Sequence, residues 1–327
     1  MFFTKFCYTI QQGLFKVYDN KQNDNQIGTN HKPMENKFKK VTLFVKPEAH
    51  GSQEITEQMC HFLKKRGVTP VIARSPKGYF KKAPKVEGVE TVDAYEVDEK
   101  NNLVVVLGGD GTFLSAARYI HGKCCPITGV NLGNLGFLTE TEATGATAHM
   151  AEVLNGEQTQ EHRPYFLVSV HRGGKKFIES RPIINDAIIQ RNSDEKMVSF
   201  SIEVEGKQVT NSTKADGLIV ATPTGSTAYS LSSGGPIVYP TLDALILSPI
   251  CPHKLSFKPV VIPTADIQIT LETEIGHLSL DGRRNMVLEQ GDVVSIQRSA
   301  HNLCVLHNPR RNFFDLIRTK LGWDHGH

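Results

Sequence analysis

The chain has 327 residues, 39% of them hydrophobic, with 37 basic and 34 acidic side chains, long enough for two domains with cores of their own. The near balance of charge leaves no large basic field to argue for nucleic acid or membrane as a main partner, and no run of about 18 apolar residues could span a bilayer. The six cysteines, at 7, 60, 124, 125, 251 and 304, lack metal-type CxxC spacing, adjacent Cys124 and Cys125 make a poor disulfide, and the set suits a reducing, cytoplasmic compartment.

Residues 1–36 read as a disorder-like extension. Their apolar start has no small-residue cleavage site, the tract 19–26 is polar throughout, and Met34 offers an alternative start. Residues 41–46 then suit a buried strand, 52–66 a helix with Ile55, Met59, Phe62 and Leu63 on one face, and 68–73 a returning strand. This strand–helix–strand unit implies a parallel sheet with right-handed crossover. Residues 80–100 are charged and irregular, a variable connection. A strand follows at 103–107, a helix at 112–121 whose dipole His121 would offset, a strand at 126–130, and a glycine-rich bend over 131–137 expected to line a cleft. Past about residue 158 the pattern becomes short strands. Segments 166–171 and 176–178 flank Arg172-Gly-Gly174, and 199–205 and 208–211 flank Gly206-Lys207, both hairpin signals. Further strands read at 217–221, 258–262, 267–271, 277–280 and 292–297. The amphipathic helix 313–323 should pack back on the first domain. The fold class expected is therefore an α/β N-terminal domain with a parallel sheet, at 37–136 with 307–323 returning to it, and a β-rich, mostly antiparallel domain at 137–306.

The chemistry concentrates in two places. After the apolar run 103–107 comes Gly108-Gly109-Asp110-Gly111-Thr112. Glycines let backbone N–H groups close on an anion, and the helix that follows aims its N-terminal dipole at the same point, so the segment reads as a phosphate cradle. Asp110 would repel a phosphate unless it binds a cation or takes a proton from a hydroxyl, and both tasks belong to phosphoryl transfer to an alcohol. An isolated Asp-Gly would more simply be a turn; the flanking glycines favour the cradle. The second place is Lys214-Ala-Asp216, a strand, and then Thr224-Gly-Ser226-Thr227-Ala-Tyr229-Ser230-Leu-Ser232. Uncharged hydroxyls beside close backbone suit a ribose, an adenine edge or a pyrophosphate. A serine nucleophile would need the Gly-x-Ser-x-Gly elbow, which is missing, and a solvated Ser/Thr turn is the plain alternative. Neither the Gly-x4-Gly-Lys-Ser/Thr loop nor the protein-kinase motif set is present.

Gly108-Gly-Asp-Gly-Thr112, Asn131-Leu-Gly-Asn-Leu-Gly-Phe-Leu138, Asn185-Asp186, the block 216–232 and Lys320-Leu-Gly-Trp323 together resemble a bacterial NAD kinase, in order along 37–323. The first element is shared with diacylglycerol kinases and 6-phosphofructokinases; the block 216–236 singles out NAD kinases. The resemblance implies transfer of the γ-phosphate of ATP, with Mg²⁺, to the 2′-hydroxyl of the adenosine ribose of NAD, forming NADP. It makes Asp110 the proton acceptor and gives phosphates to Gly108, Gly109, Gly111 and Thr112. Asn185 and Asp186 would contact the NAD ribose and the diphosphate or its metal, and Asp216, with Lys214 beside it, the nicotinamide end. Thr227, Ala228, Tyr229, Ser230, Leu231 and Ser232 would surround adenine and ribose near a subunit boundary. Lys196 carries over only across a loop, and Arg283 is either a phosphate contact or a hairpin-turn arginine. No residue is assigned as a protein metal ligand. A homo-oligomer, tetramer or dimer, is expected. The rival readings are a kinase of a lipid or sugar phosphate and a non-catalytic dinucleotide sensor.

Overall fold

Runs of β-branched and aromatic residues with no polar face form strands covered on both sides, and the first half of the chain is built on them. In the computed structural model, which describes residues 38–75, 80, 82–97 and 102–323, these are β1 (Lys40–Val45), β2 (Thr69–Arg74), β3 (Glu90–Asp93), β4 (Asn102–Leu107) and β5 (Ile127–Asn131). They lie in the order β5-β4-β1-β2-β3, every neighbouring pair parallel. The expectations for residues 1–36 fall outside the described residues. Helix α1 (Ser52–Lys65) covers one sheet face, where Ile55, Met59 and Leu63 meet Leu43, Val45, Leu103 and Val105. Each such side chain contributes about 1.5–3 kcal/mol on burial. Helix α2 (Asp110–Tyr119) covers the other, where Phe113, Ala116 and Ala117 meet Phe44, Val104 and Val106. The alternation of 43, 44 and 45 between the two clusters is the period of a strand.

Three local outcomes depart from the sequence pattern. The irregular stretch 80–100 contains β3, an edge strand in which Glu90 and Thr91 are exposed and Val92 and Asp93 half-buried; edge strands carry charge, which hides them from an apolar search. Helix α2 begins at Asp110, two residues before the expected start, because Gly109 is its N-cap. His121 follows α2, but burial and the neighbouring His301 lower its pKa, and its Nε2 pairs with Ser299 Oγ at 2.9 Å. A neutral ring cannot offset a helix dipole.

After the two-residue β6 (Thr141–Glu142), helix α3 (Ala146–Asn155) joins the cluster around α1 through Met150, Val153 and Leu154. Strands β7 (Thr159–Arg172) and β8 (Lys175–Ile183) form the first hairpin, as expected. Next come β9 (Asp186–Gln190), β10 (Val198–Val204), β11 (Lys207–Ala215) and β12 (Gly217–Ala221). The β10–β11 turn is Glu205-Gly206, both at positive φ (50° and 69°), one residue earlier than the sequence suggested. That is the twist a two-residue hairpin needs. Beyond the four-residue α4 (Tyr229–Ser232) lie β13 (Ala244–Ile250), β14 (Val260–Pro263), β15 (Ile267–Leu271), β16 (Ile275–Leu280), β17 (Arg283–Glu289) and β18 (Val293–His307).

Strand β18 joins the two architectures. It is antiparallel to β15 and β7, and its end meets β5 through the parallel pair Val305 and Ile127. The parallel strands therefore continue into β18-β15-β10-β11 within one sheet. A second sheet, β14-β13-β12-β9-β16-β17, is antiparallel throughout. Phe166, Phe200, Ile269 and Val294 of the first sheet pack on Ile189, Leu218, Val220 and Leu245 of the second. The observed class is thus an α/β half with a parallel sheet and a β-rich, antiparallel half, as the sequence indicated. Helix α5 (Phe313–Leu321) starts with a capping box of Asn312 and Asp315 and buries Leu316 and Ile317. Lys320 reaches the Leu135 carbonyl and Arg311 the Glu140 carbonyl, so the helix packs back on the glycine-rich bend; Phe313 also meets Tyr239, 5.2 Å between ring centroids. Among the described residues no helix is long and apolar enough to cross a membrane.

Candidate active site

Strand β4 ends as Gly108 N–H donates to the Val130 carbonyl at 2.9 Å. A Cβ at Gly108 would lie 2.6 Å from Thr112 Oγ1, so glycine there lets the turn close on its own helix. Gly109 has extended backbone (φ −99°, ψ −174°) and nothing within 4 Å of a would-be Cβ. Neither crowding nor backbone angle demands glycine at 109; the open space ahead of the helix N-terminus suits an anion.

Asp110, first residue of α2, is half-buried and turned onto the bend. Its Oδ2 accepts from Phe137 N (2.8 Å), and its Oδ1 from Leu138 N (3.1 Å), Thr139 N (3.1 Å) and Thr139 Oγ1 (3.0 Å). A carboxylate has about four acceptor positions, and the bend supplies four donors. Gly136 lies so close that a Cβ there would overlap the carboxylate.

The Asn185-Asp186 corner opens β9. Asp281, in the β16–β17 turn with φ 46°, gathers it: Oδ1 accepts from the N–H groups of Ile184 (3.1 Å), Asn185 (2.8 Å) and Asp186 (3.3 Å), and Arg118 of α2 reaches Oδ2 at 3.3 Å. Burial raises the pKa of Asp281, against the pull of Arg118 and the three N–H groups. Burial, with the Asp281 charge second, raises Asp186 to about 7. Asn185 Oδ1, Asp186 Oδ1, Thr224 Oγ1 and Arg118 Nη2 are buried without a hydrogen-bond partner. Such orphans are rare in native proteins, and a water, an ion or a ligand would complete them.

The hydroxyl-rich loop 222–232 stacks on this corner. Thr222 N–H donates to the Asn185 carbonyl at 2.8 Å and Thr222 Oγ1 to the Ile184 carbonyl. A Cβ at Gly225 would lie 2.5 Å from the Asn185 carbonyl carbon. Gly225→Ala must therefore push the corner away. A loss of about 1–3 kcal/mol, typical of overpacking, is expected in urea unfolding; unchanged stability would show that the two backbones can part freely. Besides Thr222 and Thr224, Ser226 and Ser230 are buried: Ser226 Oγ donates to the Pro223 carbonyl (2.6 Å) and accepts from Val238 N (3.0 Å), and Ser230 Oγ pairs with Ser248 Oγ (2.9 Å). Thr227, Ala228 and Leu231 are half-buried, while Tyr229 and Ser232 are exposed. Arg283 reaches Ser115 Oγ on α2, so it is neither free in solvent nor merely a turn residue.

The residues singled out by sequence fall into two groups. Residues 108–112 and Arg283 lie on or against α2; 185–186 join α2 through Asp281 and meet the loop that holds 227–232 through Thr222 and Gly225. Lys196, Lys214 and Asp216 form the other group. Ala221 pairs with Asp186 and Gly217 with Gln190, so Asp216 stands at the opposite end of β12, about 17 Å from the corner at 3.4 Å per residue. There it is ion-paired with Arg191 at 2.7 Å, and Lys196 and Lys214 are exposed. Arg118 and Arg191 had no sequence signal, because each acquires its partner only through folding.

Comparison with known proteins agrees with this geometry. A family model described as the ATP-NAD kinase N-terminal domain matches residues 41–158, and one described as the ATP-NAD kinase C-terminal domain matches 184–307. An NAD kinase of Geotalea daltonii is 38% identical over 289 residues, 88% of this chain and 99% of its own length. One of Magnetococcus marinus is 40% identical over 245 residues, 74% of this chain and 79% of its own. Among solved structures, an NAD kinase from Archaeoglobus fulgidus in complex with ATP has a TM-score of 0.66 and 25% identity, covering 85% of this chain and 97% of its own. The yeast NADH kinase complexed with NADH has a TM-score of 0.77, covering 89% of each chain, and at 24% identity speaks for the fold. By its relatives this chain is an enzyme of the phosphotransferase class. It belongs to the ATP-NAD kinase family.

Proposed function

We propose that the chain transfers the γ-phosphate of ATP to the 2′-hydroxyl of the adenosine ribose of NAD, with Asp110 as proton acceptor. The observation that carries this is Asp110 at the N-terminus of α2, with open space ahead of Gly109 on one side and the orphaned acceptors of Asn185 and Asp186 in the same part of the fold. The α2 N–H groups and dipole stabilise the transferring phosphoryl group, which needs positioning and charge neutralisation more than covalent chemistry. Mg²⁺ enters with ATP as part of the substrate and neutralises its phosphates. Asn185 Oδ1 and Asp186 Oδ1 suit ribose hydroxyl donors. Asp110 is held in place by the bend, and it accepts a proton when one of its four donors yields. Thr139 Oγ1 is the one that rotates away without moving backbone. The ATP complex of the Archaeoglobus fulgidus NAD kinase and the NADH complex of the yeast enzyme support these substrates, and the cysteine spacing fits a cytoplasmic location.

Purified protein incubated with NAD, ATP and Mg²⁺ is expected to form NADP, detected chromatographically, with polyphosphate and NADH as parallel arms. NAD binding without NADP from any arm would favour the sensor reading.

The reading includes a homo-oligomer. Asp216 stands about 17 Å from Asp186 along β12, and in this reading a second copy brings its Asp216, with Lys214 beside it, to the nicotinamide end of the ligand. Sedimentation should show a dimer or tetramer. Mixing inactive Asp110→Ala and Asp216→Ala proteins under subunit exchange should restore about a quarter of normal turnover, the statistical yield of intact shared sites in a symmetric dimer. A monomer, or no recovery, would remove the shared site.

A further inference from the structure

The two halves of the site stand on different sheets. Asp110 and its glycines sit at the β4–α2 junction of the larger sheet, and the Asn185-Asp186 corner and the 222–232 loop on the smaller one. The β16–β17 turn touches both. Toward α2, Arg283 reaches Ser115 and Asp281 pairs with Arg118, residues three apart and so on one helix face. Ser115 Oγ in turn donates to the Gly111 carbonyl at 2.6 Å, inside the glycine frame of Asp110. Toward β9, Asp281 Oδ1 holds three successive N–H groups, and its own N–H donates to the Asp186 carbonyl at 2.9 Å.

Turn formation does not explain a charge here. The turn has positive φ at Asp281 (46°) and Gly282 (66°), a geometry that Asn-Gly or Gly-Gly serves as well. A carboxylate with no exposed side-chain surface costs several kcal/mol unless it is paired and hydrogen-bonded. Asp281 is both, and every partner belongs to one half of the site or the other.

We propose that Asp281 is a positioning residue for phosphoryl transfer: gripping 184–186 with one oxygen and Arg118 with the other, it sets the distance between Asp110 and the ribose held by the corner. This rests on the NAD kinase reading, and wild-type NADP formation measured alongside separates failure of that reading from failure of this one.

Two variants keep the turn. Asp281→Gly removes the acceptor, whereas Asp281→Asn keeps one oxygen for the three N–H groups. Because misplacement by about 1 Å can cost on the order of 100-fold, Asp281→Gly should lose about 100-fold in kcat, normalised to the folded fraction, with KM for ATP changed less than about threefold. Asp281→Asn should recover to within about tenfold of wild type. Arg118→Met, which leaves the β9 contacts alone, should lower kcat by about tenfold and decides the matter if Asp281→Gly does not fold. Wild-type kcat per folded molecule in Asp281→Gly, or in Arg118→Met where the first is unfolded, would overturn the proposal. So would a loss in Asp281→Asn equal to that in Asp281→Gly.

Discussion

Asp110→Ala is expected to lower turnover on the order of a hundredfold or more while NAD still binds, the signature of a lost proton acceptor rather than a lost binding contact. The structure adds a second consequence. The same carboxylate holds Phe137, Leu138 and Thr139, so the alanine variant also leaves three N–H groups without their partner, at about 1–3 kcal/mol for each that stays buried and unsatisfied. Asp110→Asn separates the two effects incompletely, since its amide would set a donor against a donor at Phe137 or Leu138. Thr139→Val is the cleaner companion. It removes one donor, frees one acceptor position on Asp110 and should leave turnover within a few-fold of wild type. Chromatographic NADP rates beside calorimetric NAD binding test all three. Near-normal turnover in Asp110→Ala would take the base role from Asp110; a large loss in Thr139→Val would show that the hydroxyl is needed rather than displaced.

Asp186→Asn should abolish most turnover yet stabilise the ligand-free protein above neutral pH. Burial, with Asp281 adding to it, raises the Asp186 carboxyl from 3.8 to about 7. The folded state therefore holds this proton more tightly than the unfolded state does. The stability this brings is fully present below about pH 4 and is lost as pH rises toward and through 7. The full span is worth ~4 kcal/mol, of which rehydration of the ionised corner leaves about 1–2 kcal/mol to be seen, a few degrees in Tm for a chain of this size. The asparagine variant should melt higher than wild type at pH 8 and nearly with it at pH 4. Equal differences at both pH values would mean that Asp186 is not the titrating group.

Both variants concern residues whose partners are distant in sequence, Phe137, Leu138 and Thr139 for Asp110 and Asp281 for Asp186, which bears on how much could be read beforehand. The Gly-Gly-Asp-Gly-Thr frame was legible because a strand, a tight turn and a helix N-terminus are local, written in consecutive residues. The apolar runs 41–46 and 103–107 gave the parallel core for the same reason. Strands β9, β13 and β17 were not anticipated. Strand β13 contains Pro249, which argues against an interior strand, and the structure accommodates it past the end of the β14 pairing, where the last pair is Leu247 with Val260. Strand β17 is an edge strand beginning Arg283-Arg284-Asn285, polar where an apolar search looks for core. Helix α3 was not anticipated either; its Met150, Val153 and Leu154 join the cluster that α1 forms with the sheet.

By itself the sequence determined the strand–turn–helix cradle, the hydroxyl-rich loop, the two-part α/β and antiparallel class, and through its ordered motifs the likeness to NAD kinases, since each depends on residue spacing within short windows. The tertiary structure alone decided that Asp110 grips the bend, that Asp281 joins Arg118 to the Asn185-Asp186 corner, and that Asp216 stands at the far end of β12. Those relations come from strand register and from the meeting of two sheets, and a charge acquires its pKa and its partner only when long-range packing removes the water around it.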